Sequence, residues 1–164
     1  MKTILIFLSL IMVLPLRADH YATQAPEVSN DQWESHPEAG VAVAVLLKSQ
    51  YKNNQNIYIL TAYIKNTSNI EKSIFSGETA VRFFYKDENN VQHYLRDVPD
   101  SFSHATSYGI DPGHIVINPV TLTPQELNFV TSHLIQVECH LSDVGHPDAS
   151  YTVISSPKQL YLTQ

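Results

Sequence analysis

The sequence is poor in sulfur-containing residues. Its single cysteine, Cys139, rules out an intramolecular disulfide, so the folded chain must be held together by its hydrophobic core. Both methionines, Met1 and Met12, lie close to the N-terminus. The remaining chain therefore cannot form the Met-rich clusters that soft copper sites favour.

Several familiar motifs are absent as well. We find no phosphate-binding glycine-rich loop, no dinucleotide-binding fingerprint, no His-Glu-x-x-His segment and no paired-cysteine zinc motif. The sequence therefore predicts a protein that is not an enzyme and that requires no cofactor.

Basic residues are scarce. Ten Lys and Arg residues stand against 16 Asp and Glu residues, which gives a formal net charge of −6 with neutral histidines. An acidic surface repels phosphate backbones and anionic membranes, and no basic stripe offsets that repulsion. We therefore expect no nucleic-acid partner and no basic membrane-binding helix.

Apolar runs are short everywhere except near the N-terminus, where residues 4–14 are almost all apolar. Lys2 precedes this run, and Pro15 and the small residue Ala18 follow it. This order is typical of a secretory signal peptide, and the run is too short for a mature transmembrane helix, which needs about 20 residues. We expect residues 1–18 to be removed near Ala18, giving a secreted or periplasmic protein with no integral membrane segment.

The exported chain would begin at Asp19. It would retain all 16 acidic residues and lose Lys2 and Arg17, so eight basic residues remain and the net charge becomes −8. Its length suits one domain. Residues 19–40 are polar and lack a sustained period, which predicts an irregular N-terminal arm.

From residue 41 to residue 164 the pattern changes to short strands. Val41, Val43 and Val45 alternate on one face, as do the apolar positions in "IYILTAYIKNTS" and in "VRFFYKD". Pro119 interrupts the strand "HIVINPVTL", which places that strand at a sheet edge or at a bulge. Thr123, with Pro124 and Glu126 behind it, predicts one capped short helix. The fold class is therefore all-β, with seven to eight strands and one short helix.

This layout resembles the immunoglobulin-like β-sandwiches of exported bacterial proteins. The strand ending in "IKNTS", the aromatic strand "VRFFYKD" and the turn "DPG" before "HIVINPVTL" carry the resemblance. The paired cysteines and the strand-C tryptophan of antibody domains are missing. The resemblance implies an antiparallel immunoglobulin-like β-sandwich and no specific function.

A long segment from Asp97 to Gly113 has no clear period. Such segments are uncommon in compact domains unless they are functional or disordered. Aromatic and polar side chains there suit a binding loop, with Phe102, His104, Tyr108 and Asp111 as candidate contacts, the alternative being a loop that only packs over a sheet end. The segment also holds a serine, a histidine and an aspartate, but without a nucleophile elbow we do not expect a hydrolytic triad.

The stretch "VECHLSDVGHPD" is the second candidate region. In a strand, Cys139 would point into the core with its i±2 neighbours while His140 would point outward with Glu138, so one ion cannot bind both. We expect a core cysteine, the alternatives being a reactive thiol and a metal ligand. After Leu141 the sequence predicts a polar exit loop. A metal site formed by His140, Asp143 and His146 is the alternative hypothesis.

Taken together, these features predict a non-catalytic exported β-sandwich that binds another exported or envelope protein, as an accessory subunit, an inhibitor or an immunity protein. The alternative is a small periplasmic protein that binds a metal or another ligand.

Overall fold

The computed structural model describes residues 21–22, 24–25, 27–75, 81–96 and 107–163. The predicted signal peptide and two of the candidate loop residues, Phe102 and His104, lie outside these ranges. The described chain is an all-β sandwich of two sheets with one α-helix, and 58% of it is strand. The predicted fold class is therefore confirmed.

The described residues form twelve strands and one α-helix, together with a single 3-10 turn at Asn30–Gln32. The strands are β1 (Tyr21–Ala22), β2 (Glu34–His36), β3 (Val41–Lys52), β4 (Gln55–Asn66), β5 (Lys72–Phe75), β6 (Val81–Lys86), β7 (Gln92–Tyr94), β8 (Ser107–Ile110), β9 (Ile115–Leu122), β10 (Gln136–Asp143), β11 (His146–Ile154) and β12 (Leu162–Thr163), and helix α1 is Pro124–Ser132. Eight of these strands have four or more residues, in agreement with the predicted seven to eight.

Sheet A has the order β1-β9-β4-β3-β12, with β2 also pairing with β3. Sheet B contains β7, β6, β10, β5, β8 and β11. In sheet B, β6 pairs with residues 136–139 of β10 and β5 with residues 141–143, while β11 pairs along both of these stretches. Strands β5 and β6 therefore share one edge of β10, and β11 occupies the other. Every pairing is antiparallel except the short one between β12 and β3.

The main core lies between the sheets. It takes the alternating side chains of β3 and β4 predicted from the sequence, such as Val43 and Leu60, and meets them with inward residues of sheet B such as Phe83 and Val137. A second, smaller cluster lies on the outer face of sheet A, where Ala25, Val28 and Trp33 pack against Leu46 and Tyr63 from the strands. The N-terminal arm is therefore more regular than the sequence indicates, because it covers an apolar sheet face.

Local sequence signals are confirmed where they depend only on near neighbours. Thr123 Oγ1 accepts a hydrogen bond from the Glu126 backbone N–H at 3.2 Å, and a Glu126 carboxylate oxygen accepts one from the Thr123 N–H at 2.7 Å. This is the capping box predicted for α1. Asn53 and Asn54, with φ of 51° and 60°, form the tight turn between β3 and β4. On the side of β9 away from β4, β1 is the only strand among the described residues that pairs with it, and it covers two residues.

One local prediction is wrong. The polar exit loop expected after Leu141 is a β-hairpin, because β10 continues to Asp143 and β11 begins at His146. Only Val144 and Gly145 form the turn, and Gly145 adopts a φ of 83°, which glycine allows without strain. Of the polar residues that suggested a loop, His146 and Asp148 are exposed on this hairpin, whereas Asp143 is buried.

Candidate functional site

The three predicted metal ligands do not converge. His140 lies on the outer face of sheet B, whereas Asp143 has the opposite parity on β10 and faces the core side. His146 is exposed at the start of β11, opposite Asp143. Within the described ranges, no group of three or more His, Cys, Asp or Glu side chains is arranged to hold a metal ion. The metal site predicted at these positions is therefore not formed.

Asp143 instead belongs to a buried ion pair. Lys72 Nζ lies 2.5 Å from Asp143 Oδ1, and the two residues are direct cross-strand neighbours on β5 and β10. The Tyr151 hydroxyl donates to Asp143 Oδ2 at 3.2 Å, and the Lys72 ammonium lies 4.8 Å from the centre of the Tyr151 ring. The hydrogen bond from Lys72 holds the pKa of the Asp143 carboxyl below its ordinary value. This carboxylate is occupied and is not a free ligand.

His140 is oriented by two neighbours on the outer face of sheet B. Its Nε2 lies 3.0 Å from Glu138 Oε1, and its Nδ1 lies 3.1 Å from Thr152 Oγ1. Arg82 also donates to Glu138 Oε1, at 3.2 Å, and its guanidinium lies over the Tyr94 ring at 4.0 Å. The Thr152 hydroxyl, the His140 imidazole and the Glu138 carboxylate are thus joined by two successive hydrogen bonds. The Arg82 guanidinium already neutralises the carboxylate.

Cys139 lies fully buried in the main core, as its strand parity predicts. Burial, with a smaller contribution from the nearby Glu138 charge, raises the pKa of its thiol to about 12. A thiol in this setting is protonated at neutral pH and acts as a small apolar side chain. The alternatives of a reactive thiol and a metal ligand are therefore not supported.

The other two candidates from the binding loop, Tyr108 and Asp111, lie within the described residues. Tyr108 lies in β8 and its backbone pairs with Ile74 of β5, and Asp111 is exposed in the turn after β8. That turn belongs to one end of the sandwich, where four connections meet. We call this the loop end; it comprises residues 37–40, 67–71, 111–114 and 144–145.

Asn66, the last residue of β4, organises the loop end. Its side chain is fully buried, and its amide Nδ2 donates to the carbonyls of Ile70 and Ile110, at 2.8 Å each. Its Oδ1 accepts from the backbone N–H and the hydroxyl of Ser68, at 3.0 and 2.8 Å. One buried amide therefore uses both its donors and its acceptor to join the 67–71 loop to the end of β8.

Backbone hydrogen bonds extend this framework to the other connections. The Asn66 N–H donates to the His114 carbonyl at 3.0 Å, and the Asn66 carbonyl accepts from the Gly113 N–H at 2.9 Å. The N–H groups of Thr67 and Ser68 donate to the Gly40 carbonyl, and the Val144 N–H donates to the Glu71 carbonyl at 2.9 Å. All four connections of the loop end are thus tied to one another through fixed backbone.

The loop end exposes two large apolar side chains. Ile70 and Val144 are each 43% exposed, and the hydrogen bond from Val144 to Glu71 brings their segments side by side. The acidic residues Glu38, Glu71 and Asp111 are exposed on the same set of loops. The only lysine of the 67–72 stretch, Lys72, is buried against Asp143 and gives this surface no free positive charge.

The sequence offered only a weak signal for this site. "NTS" at residues 66–68 matches a glycosylation acceptor, yet the Asn66 amide is buried and fully hydrogen-bonded, so the folded chain does not present it for modification. The better signal was an isoleucine, Ile70, inside the otherwise polar stretch "NTSNIEK".

Comparisons with known proteins add little to this geometry. No protein-family model and no curated protein matches the sequence. Among solved structures, the structural-genomics target SoR45 aligns with a TM-score of 0.40 and 12% identity over 72% of this chain and 83% of its own. A target from Bordetella pertussis, provisionally named ApaA, aligns with a TM-score of 0.41 and 11% identity over 76% of this chain and 89% of its own. At such TM-scores neither similarity assigns a fold family or a function. The described helix is too short to cross a bilayer.

Proposed function

We propose that this chain is a non-catalytic, exported protein-binding β-sandwich that recognises its partner with the loop end. The observation that carries the proposal is the pair of exposed apolar side chains, Ile70 and Val144, on loops that Asn66 holds in one conformation. Accessory subunits, inhibitors and immunity proteins of the cell envelope work by such contacts, and the predicted signal peptide supports that location.

Preorganisation is the physical reason for choosing this surface. Binding with a mobile loop costs about 0.5–1.5 kcal/mol for each side chain that becomes ordered. The hydrogen bonds of Asn66 and the bond from Val144 to Glu71 already order the backbone of these loops in the folded chain, so binding does not have to order it. Loops grouped at one end of a sandwich are also a recognised binding surface.

The charge of the loop end indicates the chemistry of the partner. Glu38, Glu71 and Asp111 are exposed on the same loops as the apolar pair. Complementary charge mainly speeds association, and it suppresses wrong partners. We therefore propose a protein partner that presents an apolar side chain flanked by Lys or Arg, with an association rate that falls as salt rises.

We assign no reaction to the line of Thr152, His140 and Glu138. It lies on the face of a regular sheet, and Arg82 already neutralises the Glu138 carboxylate. A hydrolytic site would also need paired donors directed at a developing oxyanion, which the hydrogen-bonded ladder between β10 and β11 does not direct to this face.

Site-specific photocrosslinking in cells tests the proposal. A photoreactive residue at Ile70 should give a defined adduct with one envelope protein, and the Val144→Asp variant should lose that adduct. The matched control is the same photoreactive residue at Val91, which is 52% exposed in the β6–β7 turn, away from the loop end. An equal adduct from Val91, or an adduct that survives Val144→Asp, would contradict the assignment of this surface.

A further inference from the structure

Strand β11 is an open sheet edge. Among the described residues its only strand partner is β10. The Ser155 N–H donates to the Val137 carbonyl at 2.9 Å, which fixes the alternation of the ladder. In an antiparallel pair, Val153 and Tyr151 then direct their backbone groups to β10, and the backbone groups of Ser150, Thr152 and Ile154 point away from the sheet.

Protection of this edge is confined to its first three residues, where Pro147, Asp148 and a register shift lie, and it does not reach the rest of the strand. Residues 149–154, "ASYTVI", contain no charge, no proline and no glycine. Natural proteins usually block edges with lysine, proline or bulges, because a free edge pairs with other chains. The β9 edge is protected by a proline and by a basic side chain: Pro119 lies within it, and Arg96 Nη2 donates to the Thr121 carbonyl at 2.9 Å.

Exposed apolar side chains lie at the end of β11 and on the segment that follows it. Ile154 is 39% exposed at the end of β11, and Tyr161 and Leu162 are 76% and 47% exposed eight residues or fewer further along. The connecting segment is bound to β2 through Glu34, which accepts from the Ser156 N–H at 2.8 Å. The edge of β11 and the edge of sheet A at β12 therefore lie on one side of the sandwich.

We propose that two copies of this chain associate through β11, paired antiparallel about a two-fold axis at Thr152. In that register Thr152 faces its own copy and Ser150 faces Ile154 of the other copy. All three residues have outward-pointing backbone groups, so this register is self-complementary and forms about six interchain hydrogen bonds. A two-fold pairing also closes on itself, which avoids open-ended assembly.

The area that a stable dimer must bury indicates that Ile154, Tyr161 and Leu162 are part of this interface. A stable interface buries about 1,200–2,000 Å² in total, more than the pairing of two short strands supplies. Ile154, Tyr161 and Leu162 provide further apolar area beside the ladder. The exported chain has a net charge of −8, and the uncharged β11 edge is where two copies repel each other least. We therefore expect the dimer to tighten as salt is added.

This interface is separate from the loop end, which stays free in the dimer. The test is sedimentation velocity of the exported chain, residues 19–164, over a concentration series. We expect a monomer–dimer equilibrium for the unaltered chain. Thr152→Pro removes an N–H that points out of the sheet, leaves the β10–β11 ladder intact and should weaken the dimer about thirtyfold, the effect of losing two hydrogen bonds.

Two further variants keep the test decisive. Thr152→Val loses the contact with His140, as Thr152→Pro does, but keeps the N–H, and should dimerise like the unaltered chain. If Thr152→Pro folds poorly, the double variant Ser150→Lys and Ile154→Lys places like charges opposite each other and should give a monomer. A chain that stays monomeric up to several hundred micromolar would overturn the proposal, as would a Lys double variant that still dimerises.

Discussion

Replacing Asn66 with alanine tests the organisation of the loop end most directly. The substitution removes four side-chain hydrogen bonds. The Ile110 carbonyl loses the Asn66 donor, whereas the Ile70 carbonyl still accepts from the Ser68 hydroxyl at 3.0 Å. The Ile110 bond is buried, so its carbonyl bears the full cost of desolvation, about 1–3 kcal/mol, while each of the other bonds contributes about 0.5–1 kcal/mol. The total loss is about 2.5–6 kcal/mol, a large part of a domain stability of about 5–15 kcal/mol.

Urea unfolding measures this loss. With a slope of about 2 kcal/mol per molar urea, the midpoint of Asn66→Ala should fall by about 1–3 M. The half-buried Trp33 supplies a fluorescence signal from the second core cluster. Asn56→Ala is the matched control, because Asn56 is exposed on β4 and should change the midpoint little. A midpoint for Asn66→Ala close to that of Asn56→Ala would refute the assigned role.

Asn66→Asp sharpens the same argument through its pH dependence. A carboxylate at this position would face the two carbonyl oxygens that now accept from the amide. Burial beside these oxygens should raise the pKa of the new carboxyl above its unfolded value, so the variant loses stability as pH rises through that range. At low pH the protonated acid can donate one hydrogen bond, and part of the stability should return. A stability difference from the unaltered chain that does not change with pH would contradict this.

Three other predictions follow from the ionisable groups. With its pKa near 12, the Cys139 thiol should resist maleimide in the native chain at pH 7 and react on unfolding; fast native alkylation would contradict its burial. Hydrogen bonds from Arg96 lower the pKa of Glu126 from 4.5 to about 2, so its stabilisation is complete above pH 4.5 and lost towards pH 2. Glu126→Gln should therefore cost about 1 kcal/mol at pH 7, after allowance for solvent screening, and little near pH 2; an equal cost at both would refute this. Lys72→Met should lower the free energy of unfolding by about 3–5 kcal/mol, because it leaves the Asp143 carboxylate buried without its ion-pair partner. The double variant Lys72→Met with Asp143→Leu should regain most of that stability. Thermal unfolding measures both variants, and equal stability of the two would contradict the pairing.

Sequence reasoning succeeded where structure depends on neighbours along the chain. The inward face of β3, the cap at Thr123 and the burial of Cys139 all follow from a strand period of two or from hydrogen bonds that span three residues. It failed at "DVGHPD", because turn-forming residues are also tolerated on an exposed edge hairpin. Composition alone does not separate those two settings.

The candidate site was the part least accessible to sequence. The amide of Asn66 bonds the carbonyl of Ile110, which lies 44 residues further along the chain, and Lys72 bonds Asp143 across 71 residues. No local pattern encodes such pairs. His140 shows the same limit, because Asp143 lies on the opposite face of β10 and His146 lies on the next strand.

The sequence by itself determined the all-β class, the inward faces of β3, β4 and β10 and the short capped helix, because these depend on the periodicity and capping of contiguous residues. Tertiary structure alone decided which loops meet at Asn66, which carboxylates are neutralised and that β11 lies at the edge of the described strands of its sheet. Those outcomes depend on which strands become neighbours. That choice is made by packing the whole core, and it is not recorded in any single segment.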